Sequence, residues 1–400
     1  MVTSSIPNAF VQTKMNPRDK HGDCIIMKIR GVLVDILCEL DNVYNDYIVW
    51  ENKGQDKVLY THVTKALYGL LESAMLFYKK LVKDLQHYGF ELNLYDPCIA
   101  NRIVEGKQMT ISWHVDDLKV SHLNLHEIDH FLKCVQETYR SIAEVKSTRG
   151  KIHDYLGMKL DFSIDGQVTI DMKDNVTTMI ESFPKDVLLK GKVASPWTDS
   201  LFKVDQKSKL LDKLKLEQFH TTTAQALFLC KRGRPDISPA VAFFTTIVKA
   251  STEEDWSKLV WMMQYDQSRN DVLTLKADDS KKLHWHVDAA FAVHPDFKSH
   301  TGGILTMGCG AIVSYSRKQK LNTRSATEAE LVAADDIAGP MLWTTNFFKT
   351  QGYDFNSTIL QDNQSAIKLE TNGHSSASKC SRHLNIQYFF INDSKEKGHH

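Results

Sequence analysis

Residues 108–121 read QMTISWHVDDLKVS, and their period decides how the first half of the chain is read. Met109, Ile111, Trp113 and Val115 alternate with Thr110, Ser112 and His114, and after Asp116-Asp117 the alternation resumes at Leu118 and Val120. Apolar residues at every second position mark a strand with one buried face. The stretch therefore reads as a β-hairpin with two neighbouring carboxylates at its bend. Adjacent carboxylates repel each other, so holding both beside a core is costly unless a cation joins them. Magnesium, which takes a few carboxylate oxygens together with water and substrate phosphates, suits such a pair. An ordinary turn also accounts for it, because Asp tolerates turn conformations.

Working outward, residues 65–88 (KALYGLLESAMLFYKKLVKDLQHY) carry Leu67, Leu70, Leu71, Met75, Phe77, Tyr78, Leu81 and Leu85 at helical spacing, which predicts an amphipathic helix. Residues 154–172 (DYLGMKLDFSIDGQVTIDM) predict a strand pair turning at Asp165-Gly166. Residues 196–280 read as helical and connective. From Leu283 a second strand-rich unit begins, with Leu283, Trp285 and Val287 alternating with His284, His286 and Asp288. Ser325-Ala-Thr-Glu328 has the form of a capping box, opening a helix that runs through Glu330 to about Ala338, before Gly339-Pro340. A strand at 358–362 and a helix from about Asn363 follow.

The 400 residues hold 49 basic and 49 acidic side chains, so nucleic-acid binding has to come from local clusters and not from net charge. That length suits two or three domains with real cores. A hydrophobic share of 42% with 10% aromatics excludes a disordered chain, and 19 Gly with 9 Pro exclude a fibrous one. No apolar run approaches the roughly 18 residues of a membrane span, and residues 1–10 lack the basic and apolar regions of a secretory signal. The seven cysteines (24, 38, 98, 134, 230, 309 and 380) are scattered without a C-x-x-C pair, which fits a reducing, intracellular setting.

In the second unit Asp288 follows an alternating strand, Glu330 sits in the first turns of a helix, and Asp362 ends another strand. Three acids on three elements meet only through tertiary folding, and together they suit two metals clamping a phosphodiester. Separately they also suit strand ends and a helix N-terminus. Arg317, Lys318, Lys320 and Arg324 bring four positive charges with no acid from 311 to 327, a strip suited to a phosphate backbone or to a solvated strand edge. His126-Glu-Ile-Asp-His130 matches the H-E-x-x-H zinc-protease pattern, but no third ligand follows it and its acids are what a helix start favours anyway.

These residues resemble the reverse transcriptase and RNase H region of copia-type LTR retrotransposon polyproteins over nearly the whole chain. KALYGL (65–70), HVDD (114–117), DYLGM (154–158) and RPDI (234–237) look like landmarks of its polymerase part. VDAAFA (287–292), HTGGIL (300–305), SRKQK (316–320), SATEAEL (325–331), LW (342–343), QDNQSA (361–366) and RHLNIQYFFI (382–391) follow in the family's order. The resemblance implies an α+β chain: a partial right-hand polymerase palm over 1–195 with its fingers missing, a thumb- or connection-like helical region over 196–280, and an α/β RNase H-like domain over 281–400. It implies Asp116 and Asp117 as metal-binding acids of the polymerase site, and Asp288, Glu330 and Asp362 as the catalytic, metal-binding acids of the RNase H site. Glu330 is preferred to Glu328, which the capping box employs.

The departures are as informative. Ser5 stands where the family's first palm carboxylate belongs, and serine brings no charge to hold a divalent ion. Asn385 stands where an acid often closes the last RNase H box, with His383 and Asp393 as the candidates to replace it. Both ends look cut from a longer polyprotein. The expectation is a truncated, retrotransposon-derived RNA-directed DNA polymerase that has lost synthesis but keeps Mg²⁺- or Mn²⁺-dependent cleavage of RNA in RNA–DNA hybrids. Its implied partners are an RNA template, the hybrid, dNTPs if synthesis survives, and other polyprotein products, without a membrane. The implied place is the cytoplasm, in a virus-like particle, or the nucleus. The alternatives are a non-catalytic nucleic-acid-binding remnant and, further off, a zinc peptidase at His126 and His130.

Overall fold

The computed structural model of the chain describes residues 1–15, 25–185, 187–188, 193–269 and 271–372. It is a mixed α+β protein, in agreement with the expected class, and the described residues form four sheets. Contacts divide it into two compact units, Met1–Leu92 with Pro97–Thr148, and Asn93–Asp96 with the chain from Arg149 onward. Among the described residues no helix is long and apolar enough to cross a membrane.

The first unit is built on a six-stranded antiparallel sheet, in the order Glu91–Leu92, Ile99–Val104, Lys107–His114, Asp117–Ser121, Val2–Ser5 and Lys146–Thr148. The period of two in the 108–121 stretch has the consequence expected of it. Met109, Ile111, Trp113, Leu118 and Val120 all point to one face and are buried. Two helices, Ser73–His87 and Leu125–Tyr139, cover that face with Phe77, Leu81, Leu85, Ile128, Phe131 and Val135. The opposite face carries the alternate residues, among them Ser5, Ser112, His114 and Asp117. A smaller sheet of Ile26–Arg30, Asp56–His62 and Val49–Glu51 lies with the helix Val32–Leu40 in the same unit.

The helix expected over 65–88 is shorter, beginning at Ser73. Gly69 takes φ +95°, outside the helical region, the Ala66 amide is drawn away to the Thr13 carbonyl at 3.1 Å, and Ser73 Oγ closes a turn by donating to the Leu67 carbonyl at 2.7 Å. Leu71, counted on the apolar face, is entirely exposed.

In the second unit the 154–172 stretch forms three strands, Ile152–Tyr155, Met158–Asp161 and Gln167–Asp171, because Leu156-Gly157 makes a second tight turn at φ +52° and +76°. Leu273–Ala277 and Gly308–Cys309 complete this sheet. The helices Lys173–Glu181, Lys213–Cys230, Ser238–Ile247 and Glu253–Ser268 surround an aromatic core that includes Phe183, Phe219, Phe243, Phe244 and Trp256. Beneath it Arg234 is buried between Asp236 and Asp266, at 2.8 and 2.7 Å.

The last sheet has the order Val313–Lys318, His300–Thr306, Lys282–Ala290 and Asn356–Leu360. Its first three strands are antiparallel, and Asn356–Leu360 runs parallel to Lys282–Ala290. The helix Ala326–Thr350 packs Ala333, Ile337 and Met341 on Leu283, Trp285, Val287 and Leu305. Gly303 lets it sit close, since a Cβ there would stand 2.6 Å from Ile337 Cδ1.

This helix does not stop before Gly339-Pro340 but runs through them to Thr350. Proline has no amide to donate, so the carbonyl four residues back, that of Asp336, loses its helical partner. Arg317 Nη2 supplies the missing donor at 2.8 Å. At the start of the helix Ser325 Oγ accepts from the Glu328 amide at 3.2 Å. The Glu328 carboxylate reaches one residue further back than a capping box requires, to the Arg324 amide at 2.7 Å.

Candidate active site

The carboxyl ends of two parallel strands lie side by side, and this brings the acids of the second unit together. Asp288 lies near the end of the Lys282–Ala290 strand, opposite Gly302. Asp362 follows the parallel Asn356–Leu360 strand by two residues, and Glu330 projects from the early turns of the Ala326–Thr350 helix. One ligand atom from each lies within 4.8 Å of the others, and among the described residues no other group of three His, Cys, Asp or Glu side chains does this. Asp288 and Asp362 are exposed, while Glu330 is only 6% exposed.

Burial, and then the charges of Asp288 and Asp362, push the Glu330 carboxyl up to about 7, although a hydrogen bond from Gln361 opposes the rise. Gln361 is a residue that the sequence reading passed over. Its Nε2 donates to Glu330 Oε2 at 3.0 Å, while its Oε1 accepts from the amides of Asp362 at 3.0 Å and Asn363 at 3.4 Å. One amide side chain thus ties the helix acid to the strand-end acid. The only trace of this in the sequence is its place beside Asp362. A cavity of about 850 Å³ opens over Asp288, Gln361 and Asp362, walled on its other side by Trp197, Phe202, Pro235 and Pro239.

Three convergent carboxylates form a hard oxygen donor set, the type that takes Mg²⁺ or Mn²⁺. Two of the four basic candidates are already engaged. Arg317 pairs with Asp336 at 2.7 Å and Lys318 with Asp296 at 2.8 Å, leaving Lys320 and Arg324 exposed. His383, Asn385 and Asp393 lie outside the described residues, as does the whole 382–391 stretch.

In the first unit the hairpin turn is Val115-Asp116, with Val115 at φ +55° and His114 paired with Asp117. Ser5 lies directly across the sheet from Asp117, and the Ile6 amide donates to the Asp116 carbonyl at 2.9 Å. Burial, followed by the neighbouring Asp117, raises the Asp116 carboxyl above its ordinary range. Asp116 in turn adds to the burial that raises the Tyr68 phenol, a second neighbour that spacing did not reveal. His126 and His130 are exposed on the first turns of the Leu125–Tyr139 helix and belong to no three-ligand group among the described residues.

The fold and its site thus define a mixed α+β protein with a three-carboxylate centre at the ends of parallel strands. Its relatives are retrotransposon Pol polyproteins. The chain is 24% identical over 344 residues to the retrovirus-related Pol polyprotein from transposon TNT 1-94 of Nicotiana tabacum, a match covering 83% of this chain and 25% of that one. It is 23% identical over 308 residues to a transposon Ty5-1 protein of Saccharomyces cerevisiae, covering 74% of this chain and 90% of that one. With the Pol polyprotein from transposon RE1 of Arabidopsis thaliana it shares 31% over 171 residues, or 41% of this chain and 11% of the other. It therefore spans about a quarter of the tobacco polyprotein. No protein-family profile matches the chain. These similarities support a retroelement origin.

Proposed function

We propose that this chain is a copia-type reverse transcriptase and RNase H segment that cleaves the RNA strand of RNA–DNA hybrids and no longer synthesises DNA. The cleavage reading is carried by the convergence of Asp288, Glu330 and Asp362, the first and last of which line one open cleft. Asp288 and Asp362 face the cleft, and Gln361 holds Glu330 beside them. Bound Mg²⁺ or Mn²⁺ ions would supply the activation of water and the stabilisation of the leaving 3′-oxygen. Lys320 and Arg324, both exposed, are the basic side chains that would meet a phosphate backbone.

Two observations accompany this reading. The similarity runs across transposon proteins from three organisms, and the last sheet, antiparallel with one parallel strand that leads into Asp362, supports an RNase H-like reading. The purified chain is expected to cut the RNA of a hybrid only when Mg²⁺ or Mn²⁺ is added, and Asp362→Asn is expected to lower cleavage below detection while hybrid binding persists. Divalent-independent cleavage, or full activity of the variant, would overturn the assignment.

The loss of synthesis rests on Ser5, which puts a neutral hydroxyl across from Asp117 where a third charge would be needed. Primer extension on poly(A)–oligo(dT) is expected to give no product. A processive ladder would refute this part without touching the first. The non-catalytic remnant remains the second reading, favoured by this same serine. It predicts hybrid binding that weakens steeply with salt, and no cleavage with either metal.

A further inference from the structure

A second, smaller pocket of about 210 Å³ adjoins the acid-lined cleft, and Trp197 lines both. Trp261, 38% exposed, also lines it. The two tryptophans come from different parts of the second unit but are held in register. Trp261 Nε1 donates to the Ser195 carbonyl at 2.9 Å, and Arg269 Nη2 reaches the Ala194 carbonyl at 3.3 Å. The short run leading into Trp197 is therefore pinned to the Glu253–Ser268 helix from two points.

The rim is polar. Thr198 and Ser257 bring hydroxyls, and Lys258 brings a nearly buried ammonium that donates to the Lys203 carbonyl and lies 3.4 Å from Glu254. Lys258 also lies 3.5 Å from Asp255, so its ammonium is held in the pocket wall by oxygen partners.

We propose that this pocket receives one unpaired nucleobase of the strand entering the cleft. The volume lies below the roughly 300–1,000 Å³ of sites that enclose a drug-sized ligand, so the occupant is small. Two indoles among the lining residues favour a flat aromatic group, and stacking accepts any base because every base has a π-face. The shared wall at Trp197 puts the occupant on the same polymer that reaches Asp288 and Asp362. This inference rests on the nucleic-acid reading above and deepens it. The preferred substrate becomes a hybrid with a single-stranded flank or a bulge beside the cut, and not a blunt duplex.

The test uses the full chain in EDTA, so that binding is read without turnover. Fluorescence anisotropy compares three labelled RNA–DNA hybrids: blunt, carrying a three-nucleotide single-stranded overhang, and carrying the same overhang with abasic sites. The overhang is expected to bind about tenfold more tightly than either of the others. This corresponds to about 1.4 kcal/mol, within the range of one base–aromatic stack. Trp261→Ala is expected to erase the preference and leave blunt-hybrid affinity intact, and Trp197→Ala to erase the preference, while Trp197→Phe keeps it. Equal affinity of the wild-type chain for the three hybrids would overturn the proposal, as would an undiminished preference in both alanine variants. If the two alanine variants lose fold as judged by circular dichroism, Trp197→Phe and Trp261→Phe decide. Retention of the overhang preference by both supports stacking, and its loss in both, with blunt binding intact, overturns it. Cleavage with Mg²⁺ separates the two claims. Cutting without overhang preference sinks the pocket alone, and overhang preference without cutting sinks the nuclease alone.

Discussion

At the scale of single residues, Glu330 is where the chemistry and the stability of the chain meet. Its folded carboxyl titrates at about 7, against an ordinary value of 4.5. The folded state therefore holds this proton more tightly than the unfolded state, and the corresponding stability is present below pH 4.5 and lost as pH rises through 7. Without divalent ions the melting temperature of the wild-type protein is expected to fall relative to that of Glu330→Gln between pH 5.5 and pH 8. Added Mg²⁺ should restore the wild-type protein most strongly at pH 8, because carboxylate ligands must be ionised to bind. A metal-free difference between the two proteins that is independent of pH over this window would contradict the burial assigned to Glu330. Gln361→Leu, which removes the opposing hydrogen bond, is expected to move the midpoint higher still. The three acids were legible in the sequence because strand period and helix start set them apart from their neighbours. Gln361 was not, since its amide acquires a role only when the Asn356–Leu360 strand lies beside Lys282–Ala290 and faces a helix that begins some thirty residues earlier.

At the scale of elements, the same contrast recurs. The alternation in 108–121 translated directly into buried and open faces because no residue there competes with the strand period. The helix across Gly339-Pro340 was hidden for the opposite reason: local propensity says stop, and only a guanidinium from another element answers the carbonyl that proline abandons. Arg317 is partly exposed, so the gain is that of a charged hydrogen bond on a surface, about 1 kcal/mol. Urea unfolding is expected to report a loss near that size for Arg317→Ala. In a Pro340→Ala background, where residue 340 donates its own amide, Arg317→Ala should cost distinctly less. A double-mutant cycle with no coupling would mean that Arg317 acts only through its ion pair with Asp336. The start of the 65–88 helix was misplaced for a related reason, namely that Thr13, far away in sequence, takes the Ala66 amide.

At the scale of the whole molecule, each unit has its own sheet and core, and the second also joins a helical layer to the four-stranded sheet. Part of that seam is a buried histidine pair. His294 Nε2 and His300 Nδ1 lie 3.0 Å apart, and Phe202, from the helical side, packs on both rings at 5.0 and 5.1 Å. Burial lowers both imidazoles to about 4, from 6.5. The unfolded chain then binds the extra protons between pH 6.5 and 4, so stability present at neutral pH is lost as pH falls through that window. Chemical denaturation at pH 7.5 and pH 5 is expected to find the second unit weakened at pH 5, and His294→Gln with His300→Gln should reduce that difference. An acid response confined to the first unit would argue against the seam. The individual strands and helices behind the broad α+β class were largely legible from periodicity. The seam was not, because neither histidine lies on a repeating pattern and their packing partners include Phe202, some ninety residues away.

The parallel strand adds a matter of timing. Asn356–Leu360 docks on a partner synthesised about seventy residues earlier, and Asp362 is carried in with it. A chain emerging from the ribosome holds Asp288 and Glu330 well before the third acid can take its place. The three-carboxylate centre is thus assembled by a late, non-local step of the kind that folds slowly. Until that strand is released and docks, a nascent chain carries two of the three acids without the third beside them.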